Sequence, residues 1–264
     1  MNNKIIVITG ASSGIGKGLK ERFEKFDNKV INISIDAVQS SDNLNFCCDV
    51  ANYEELKKVF KKIEEKFKKI DMLINCAGYA VNGATELIAI EDAKKQFDVN
   101  FFGTLSTCKL AIPLMNKDSK IVNISSACAF SPVPFRTLYC ASKSAVSMLS
   151  ECLGMELKHL GIEVTHICPG DIKTNFSKNR VKVYKTNERY GKRVENTLKS
   201  IEEREHKRMD CDYATDIIFK ICNKKHLKTM YVINGKTKMF YLARKFAPRK
   251  TYNNVSYKLF SGEK

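Results

Sequence analysis

The chain has 264 residues, 44% hydrophobic and 28% charged, with Lys+Arg 45 against Asp+Glu 29 and a formal net charge of +16. This balance excludes a disordered chain, and the length suits one large α/β domain with a full core. No apolar run approaches the roughly 20 residues of a bilayer span. The N-terminus runs directly into a short apolar strand, unlike a secretory leader. Ten cysteines without a C-x-x-C pair point to reduced thiols in a cytoplasmic protein, and four isolated histidines point away from a metal site.

The excess charge is concentrated late. Residues 224–264 hold eleven Lys/Arg against a single acid, Glu263, and residues 173–209 hold twelve against five, while the remainder is nearly neutral. Apolar runs alternate with helical periodicity from the start. Lys4–Thr9 reads as a buried strand, followed by a glycine turn and a helix to about Phe26. Lys29–Ser34 and Leu44–Cys48 read as strands two and three. Asn52 with Glu55 predicts a capped helix, whose stripe is Leu56, Val59, Phe60, Ile63 and Phe67. Strands at Met72–Asn75, Lys120–Ser125 and Glu163–Cys168 flank long helical patterns at Glu91–Asn116 and Leu138–His159. Thr229–Ile233 closes the series, and 236–260 reads as two short amphipathic helices around Pro248. This alternation predicts a Rossmann-type, doubly wound parallel sheet in a single domain, 1–235, with a C-terminal amphipathic extension, 236–264.

The first turn, Gly10-Ala11-Ser12-Ser13-Gly14-Ile15-Gly16, joins a strand to a helix. Its small residues let the backbone approach a pyrophosphate, which the helix N-terminus attracts. Tyr139 and Lys143 stand four apart on a predicted helix, so phenol and ammonium share one face. A nearby cation favours phenolate and makes Tyr139 a plausible acid/base for carbonyl–alcohol interconversion; the bland alternative is a surface pair. The run ending in Ser125-Ser126 closes a strand at its carboxyl end, where open α/β sheets bind ligands.

With Asn75-Cys76-Ala77-Gly78, Asn100 and Pro169-Gly170, these motifs resemble the short-chain dehydrogenase/reductase family in order and spacing over residues 4–235. The resemblance implies that Gly10, Ser12, Ser13, Gly14, Ile15 and Gly16 hold the coenzyme pyrophosphate, Asp49 and Val50 meet the adenine, and Asn75, Ala77 and Gly78 brace the sheet and flank a ribose. It implies a catalytic tetrad: Asn100 holding a relay water, Ser126 bonding the substrate oxygen, Tyr139 exchanging the proton, and Lys143 binding the nicotinamide ribose and lowering the tyrosine pKa. Pro169, Gly170, Ile172 and Thr174 match the segment packed on the nicotinamide. At the end of the second strand Ser34 and Asp36 leave NAD and NADP both open, with the balance toward NAD.

These expectations describe an NAD(P)-dependent oxidoreductase exchanging hydride with a carbonyl or secondary alcohol, a homodimer or homotetramer by family tendency. A carrier-protein-linked 3-ketoacyl reductase is one alternative. A non-catalytic membrane-surface or nucleic-acid-binding protein with a vestigial nucleotide site is another, against which the complete tetrad counts. The basic 173–209 segment matches the family's substrate lid. In the tail, Met239, Leu242, Ala243 and Phe246, then Tyr252, Val255, Ser256 and Leu259, repeat at helical spacing among lysines and arginines. That pattern suits an anionic membrane surface or packing against the domain itself or a second subunit.

Overall fold

Every strand expected from the sequence joins one sheet. In the computed structural model, which describes residues 2–38, 41–42, 44–173, 181–183, 187–203 and 208–261, these strands are β1 (Ile5–Thr9), β2 (Lys29–Ser34), β3 (Asn45–Cys47), β4 (Met72–Asn75), β6 (Lys120–Ile124), β7 (Glu163–Pro169) and β9 (Met230–Ile233). They pair in parallel in the order β3-β2-β1-β4-β6-β7-β9. The chain moves outward from β1 through β2 to β3, then returns to place β4 on the other side of β1. That reversal opens a crevice at the carboxyl ends of β1 and β4.

Side-chain alternation builds two apolar layers. Ile5 and Val7 face the layer filled by α2 (Tyr53–Phe67), α4 (Gly103–Ala111) and α5 (Thr137–Glu156), whereas Ile6 and Ile8 face α1 (Gly14–Glu24) and α7 (Cys211–Cys222). The Asn52 side chain accepts the Glu55 N–H at 3.2 Å and starts α2, which buries Leu56, Val59, Phe60 and Ile63. Burying each of these side chains contributes about 2 kcal/mol before chain entropy is counted.

Two expectations are corrected, and four elements are added. The first helix ends at Glu24, two residues early. The single helix expected over Glu91–Asn116 is α3 (Ile90–Phe97), a π turn (Asp98–Phe102) and α4, followed by a short 3₁₀ turn, Ile112–Leu114. The Gly103 N–H bonds back to the Asp98 carbonyl across the π turn, so one extra residue is accommodated at Asn100. A small second sheet pairs β5 (Val81–Asn82) with β8 (Val181–Lys182), and α6 (Arg193–Glu203) and α7 were not read from the sequence.

The tail forms α8 (Gly235–Phe246) and α9 (Arg249–Phe260), on either side of Pro248 as expected. Of the two expected stripes, Tyr252 and Ser256 of α9 face inward, whereas Met239, Leu242 and Phe246 of α8 do not. Tyr252 donates from its hydroxyl to Ser131 Oγ at 2.8 Å, and the Ser256 hydroxyl donates to the Pro132 carbonyl at 2.6 Å. Tyr241 meets the Phe130 ring edge-on. Met239, Leu242 and Phe246 point away from the domain, 62%, 52% and 77% exposed. No helix among the described residues is long and apolar enough to cross a membrane.

Candidate active site

One cavity of about 790 Å³ runs along the carboxyl ends of the central strands. Its floor at one end is the turn after β1. Gly10 and Gly14 have positive φ (70° and 53°), and a Cβ on Gly16 would lie 2.3 Å from the Gly10 carbonyl oxygen. The close backbone approach leaves no room for a side chain and brings the N-terminus of α1 to the crevice. This cradle fits a dinucleotide pyrophosphate. Gly10, Ser13, Gly14, Ile15, Gly16, Ser34, Asp36, Asp49, Val50, Ala77 and Gly78 all line it.

Ser12 and Asn75 do not. The Ser12 hydroxyl accepts from Asn32 Nδ2 at 3.3 Å, and its N–H donates to Ser34 Oγ at 3.3 Å. Asn75 is buried between strands and helix: its amide donates to Asn123 Oδ1 at 2.8 Å and accepts from the Thr107 hydroxyl at 2.7 Å. It braces β4 to β6 and α4. The Ser34 hydroxyl is also committed, donating to Asn32 Oδ1 at 2.6 Å. Asp36 is exposed on the cavity wall.

Toward the other end, Ser126, Tyr139 and Lys143 face the same space, with Pro169, Gly170 and Ile172 beside them. Thr174 lies outside the described residues. Ser126 follows β6, and its Oγ accepts the Cys128 N–H at 3.1 Å, capping a 3₁₀ turn. Tyr139 and Lys143 occupy successive turns of α5. The Lys143 ammonium donates to the Ile124 carbonyl at 2.9 Å, and burial pulls its pKa down from 10.5 to about 8. Ser125 is structural: its hydroxyl donates to the Lys143 carbonyl at 2.9 Å.

Asn100 is fully buried and does not line the cavity. Its amide nitrogen donates to the Tyr79 carbonyl and to Ser142 Oγ, each at 3.0 Å, and its Oδ1 accepts the Tyr79 N–H at 3.0 Å. A Cβ on Gly78 would fall 2.9 Å from Asn100 Oδ1 and 3.6 Å from Lys143 Nζ. Asn100 therefore stands behind Gly78 and Lys143, and the π turn presents it there.

Several lining residues were not foreseen. Arg136, three positions before Tyr139, is 6% exposed, with its guanidinium carbon 4.8 Å from the Tyr139 ring centroid. The i, i+3 spacing to Tyr139 was the available signal. The Cys128 thiol, also in the lining, is held below its ordinary pKa by a hydrogen bond from Cys140 and by the Arg136 charge, against burial. From the tail, Lys236, Thr237, Phe240, Leu259 and Phe260 also line the cavity. The C-terminal extension is thus part of the site's enclosure.

The fold and this cavity are those of a Rossmann-type dinucleotide-binding protein. The family model described as short chain dehydrogenase matches residues 4–185. The chain is 35% identical over 213 residues to the 3-ketodihydrosphingosine reductase of Bacteroides thetaiotaomicron, covering 78% of each protein. It is 35% identical over 271 residues to the probable short-chain type dehydrogenase/reductase VdlC of Helicobacter pylori, covering 98% of each. The ligand-free aldohexose dehydrogenase of Thermoplasma acidophilum superposes with a TM-score of 0.74 at 26% identity, over 90% of this chain and 95% of that one. The chain belongs to the short-chain dehydrogenase/reductase family, NAD(P)-binding oxidoreductases acting on CH–OH and C=O groups.

Proposed function

We propose that the enzyme interconverts an apolar ketone and its secondary alcohol, with Ser126, Tyr139 and Lys143 as the catalytic residues. The observation that carries this reading is that all three line one cavity, which Val133, Phe240, Leu259 and Phe260 also line. When bound, a nicotinamide coenzyme would supply the hydride chemistry; the glycine turn would hold its pyrophosphate, and Asp49, Val50, Ala77 and Gly78 would flank its adenosine half. The Ser126 hydroxyl orients the carbonyl oxygen, and the Tyr139 phenol delivers the proton. The buried Lys143 ammonium stabilises the phenolate left behind. Asn100 is a positioning residue: it ties the Tyr79 segment to Ser142 on α5, the neighbour of Lys143. Tyr139→Phe should lower kcat/KM by about 10²–10⁴-fold, since a positioned acid/base contributes that much. Coenzyme affinity, read by fluorescence titration, should stay unchanged. Retention of most activity would remove Tyr139 from the proposed role.

NAD is the coenzyme this site favours. The Ser34 hydroxyl is already spent on Asn32 and the Ser12 N–H, and the Asp36 carboxylate repels the extra phosphate of NADP. Exposed Phe102, Met148 and Met155 (51%, 60% and 71%) support assembly as a homodimer or homotetramer through the α4–α5 face, which light scattering of the purified protein reads directly.

A second reading concerns location. Met239, Leu242 and Phe246 form an outward apolar stripe, with Lys236, Lys238, Lys245, Arg249 and Lys250 exposed around it. We propose that this face rests on an anionic membrane and presents the cavity's tail-built wall to it. Near such a surface each cation contributes about 1 kcal/mol. Since α8 and α9 wall the cavity, point changes test this better than truncation. Replacing Met239, Leu242 and Phe246 by serine should abolish binding to phosphatidylglycerol vesicles and leave turnover of a soluble ketone intact. Failure of the unaltered enzyme to bind these vesicles at low salt refutes the membrane role.

A further inference from the structure

We propose that Arg136 is a receptor for a carboxylate carried by the substrate only a few bonds from its reacting carbonyl, which makes the substrate an oxo acid. The proposal deepens the ketone–alcohol reading above and rests on it. Arg136 is 6% exposed and lines the cavity beside Tyr139. Its Nε is fully buried without a hydrogen-bond partner, and among the described residues no acidic side chain makes an ion pair with it. Its electrostatic neighbours are the Cys128 and Cys140 thiols, the Tyr139 phenol and Asp171. Asp171 is exposed and lines the same cavity.

A buried guanidinium nitrogen with no hydrogen-bond partner is costly, and the cost is offset when an anion pairs with it. Arg136 also stands at the N-cap of α5, where no side chain caps the helix, so the positive helix end adds to the same field. Its planar fork suits a carboxylate, which it binds through two parallel hydrogen bonds.

Geometry limits the spacing. The guanidinium carbon is 4.8 Å from the Tyr139 ring centroid. A substrate oxygen that takes the Tyr139 proton lies about 3 Å from the phenol oxygen. Both contacts are met together only when acid and ketone are close neighbours along one chain, as in a 2-oxo or 3-oxo acid. A remote phosphate on a long carrier arm does not meet this condition. The apolar residues Val133, Phe240 and Phe260 receive the remaining carbon chain.

The test compares 3-oxohexanoate with its methyl ester, with NADH and NADPH, using unaltered enzyme, Arg136→Met and Arg136→Lys. The unaltered enzyme should prefer the acid by about ten- to a hundredfold in kcat/KM, the usual worth of a charge-assisted contact. Arg136→Met should abolish that preference while keeping turnover of the ester, and Arg136→Lys should keep part of it. Equal use of acid and ester by the unaltered enzyme overturns the proposal, whether or not any variant folds. An equal loss on both substrates in Arg136→Met also overturns it, assigning Arg136 to the Tyr139 ring alone. If neither ketone turns over, the ketone–alcohol reading fails separately, and calorimetric binding of hexanoate decides the anion site. Binding lost in Arg136→Met supports it, and binding unchanged or absent in the unaltered enzyme sinks it.

Discussion

Lys143→Met should inactivate the enzyme and make its ligand-free fold more stable. Burial lowers the Lys143 pKa from 10.5 to about 8, a gap worth roughly 3 kcal/mol. The sign follows from proton counting. Below pH 8 both folded and unfolded chains carry the ammonium, so the folded chain bears the full cost of burying it. Between pH 8 and 10.5 the unfolded chain holds more protons, stability rises with pH, and above 10.5 the cost is gone. Methionine fills similar volume without charge but leaves the Ile124 carbonyl without its donor, which costs about 1–2 kcal/mol. The expected net gain is therefore on the order of 1–2 kcal/mol at pH 7, shrinking to nothing or reversing by pH 10.5. Urea denaturation of both proteins without coenzyme at pH 7 and pH 10.5 measures it, provided the m-values agree. A variant less stable than the parent at pH 7, or a difference independent of pH, would refute the reasoning.

Two other outcomes follow from the coenzyme end. Gly16→Ala puts a methyl group 2.3 Å from the Gly10 carbonyl oxygen, so the turn must open; coenzyme binding should fall by at least about tenfold, with overpacking costing about 1–3 kcal/mol in thermal stability. Unchanged NAD affinity would show that the turn does not cradle the pyrophosphate. Asp36→Ala should weaken NAD and strengthen NADP, changing the ratio of their kcat/KM values by about tenfold, as one removed carboxylate near a phosphate does. Equal effects on both coenzymes would leave Asp36 as a loop residue.

The sheet was legible because its strands are short, nearly continuous apolar runs such as Ile5–Thr9, which only a sheet covered on both faces can bury. The glycine turn and the Tyr139–Lys143 pair were legible because each depends on neighbours in sequence. What could not be read depended on partners far along the chain. Asn75 was expected both to brace the sheet and to flank a ribose; its amide, taken by Asn123 and Thr107, does the first and does not line the cavity. The tail's stripes left surface and packed faces both open; Tyr252 and Ser256 pack inward through polar atoms that meet Ser131 and Pro132, partners more than a hundred residues away. Arg136 gave no signal from composition; its meaning lies in an Nε buried without a hydrogen-bond partner beside the Tyr139 ring.

The π turn at Asp98–Phe102 acts as a phase shifter. One residue more than an α-helical path advances the downstream face by about 100°, the rotation of a single helical residue. Upstream, Gln96 reaches the Val81 N–H beside the cavity; downstream, Thr107 faces the sheet and holds Asn75. An unbroken helix serving one of these contacts would turn the other toward solvent. Removing one residue from this turn would heal the helix and raise its regularity, yet rotate Asn100 out of line with Tyr79 and Ser142. The defect lets one helical segment address two perpendicular tasks, and the chain's most regular-looking stretch is where a deletion would be least tolerated.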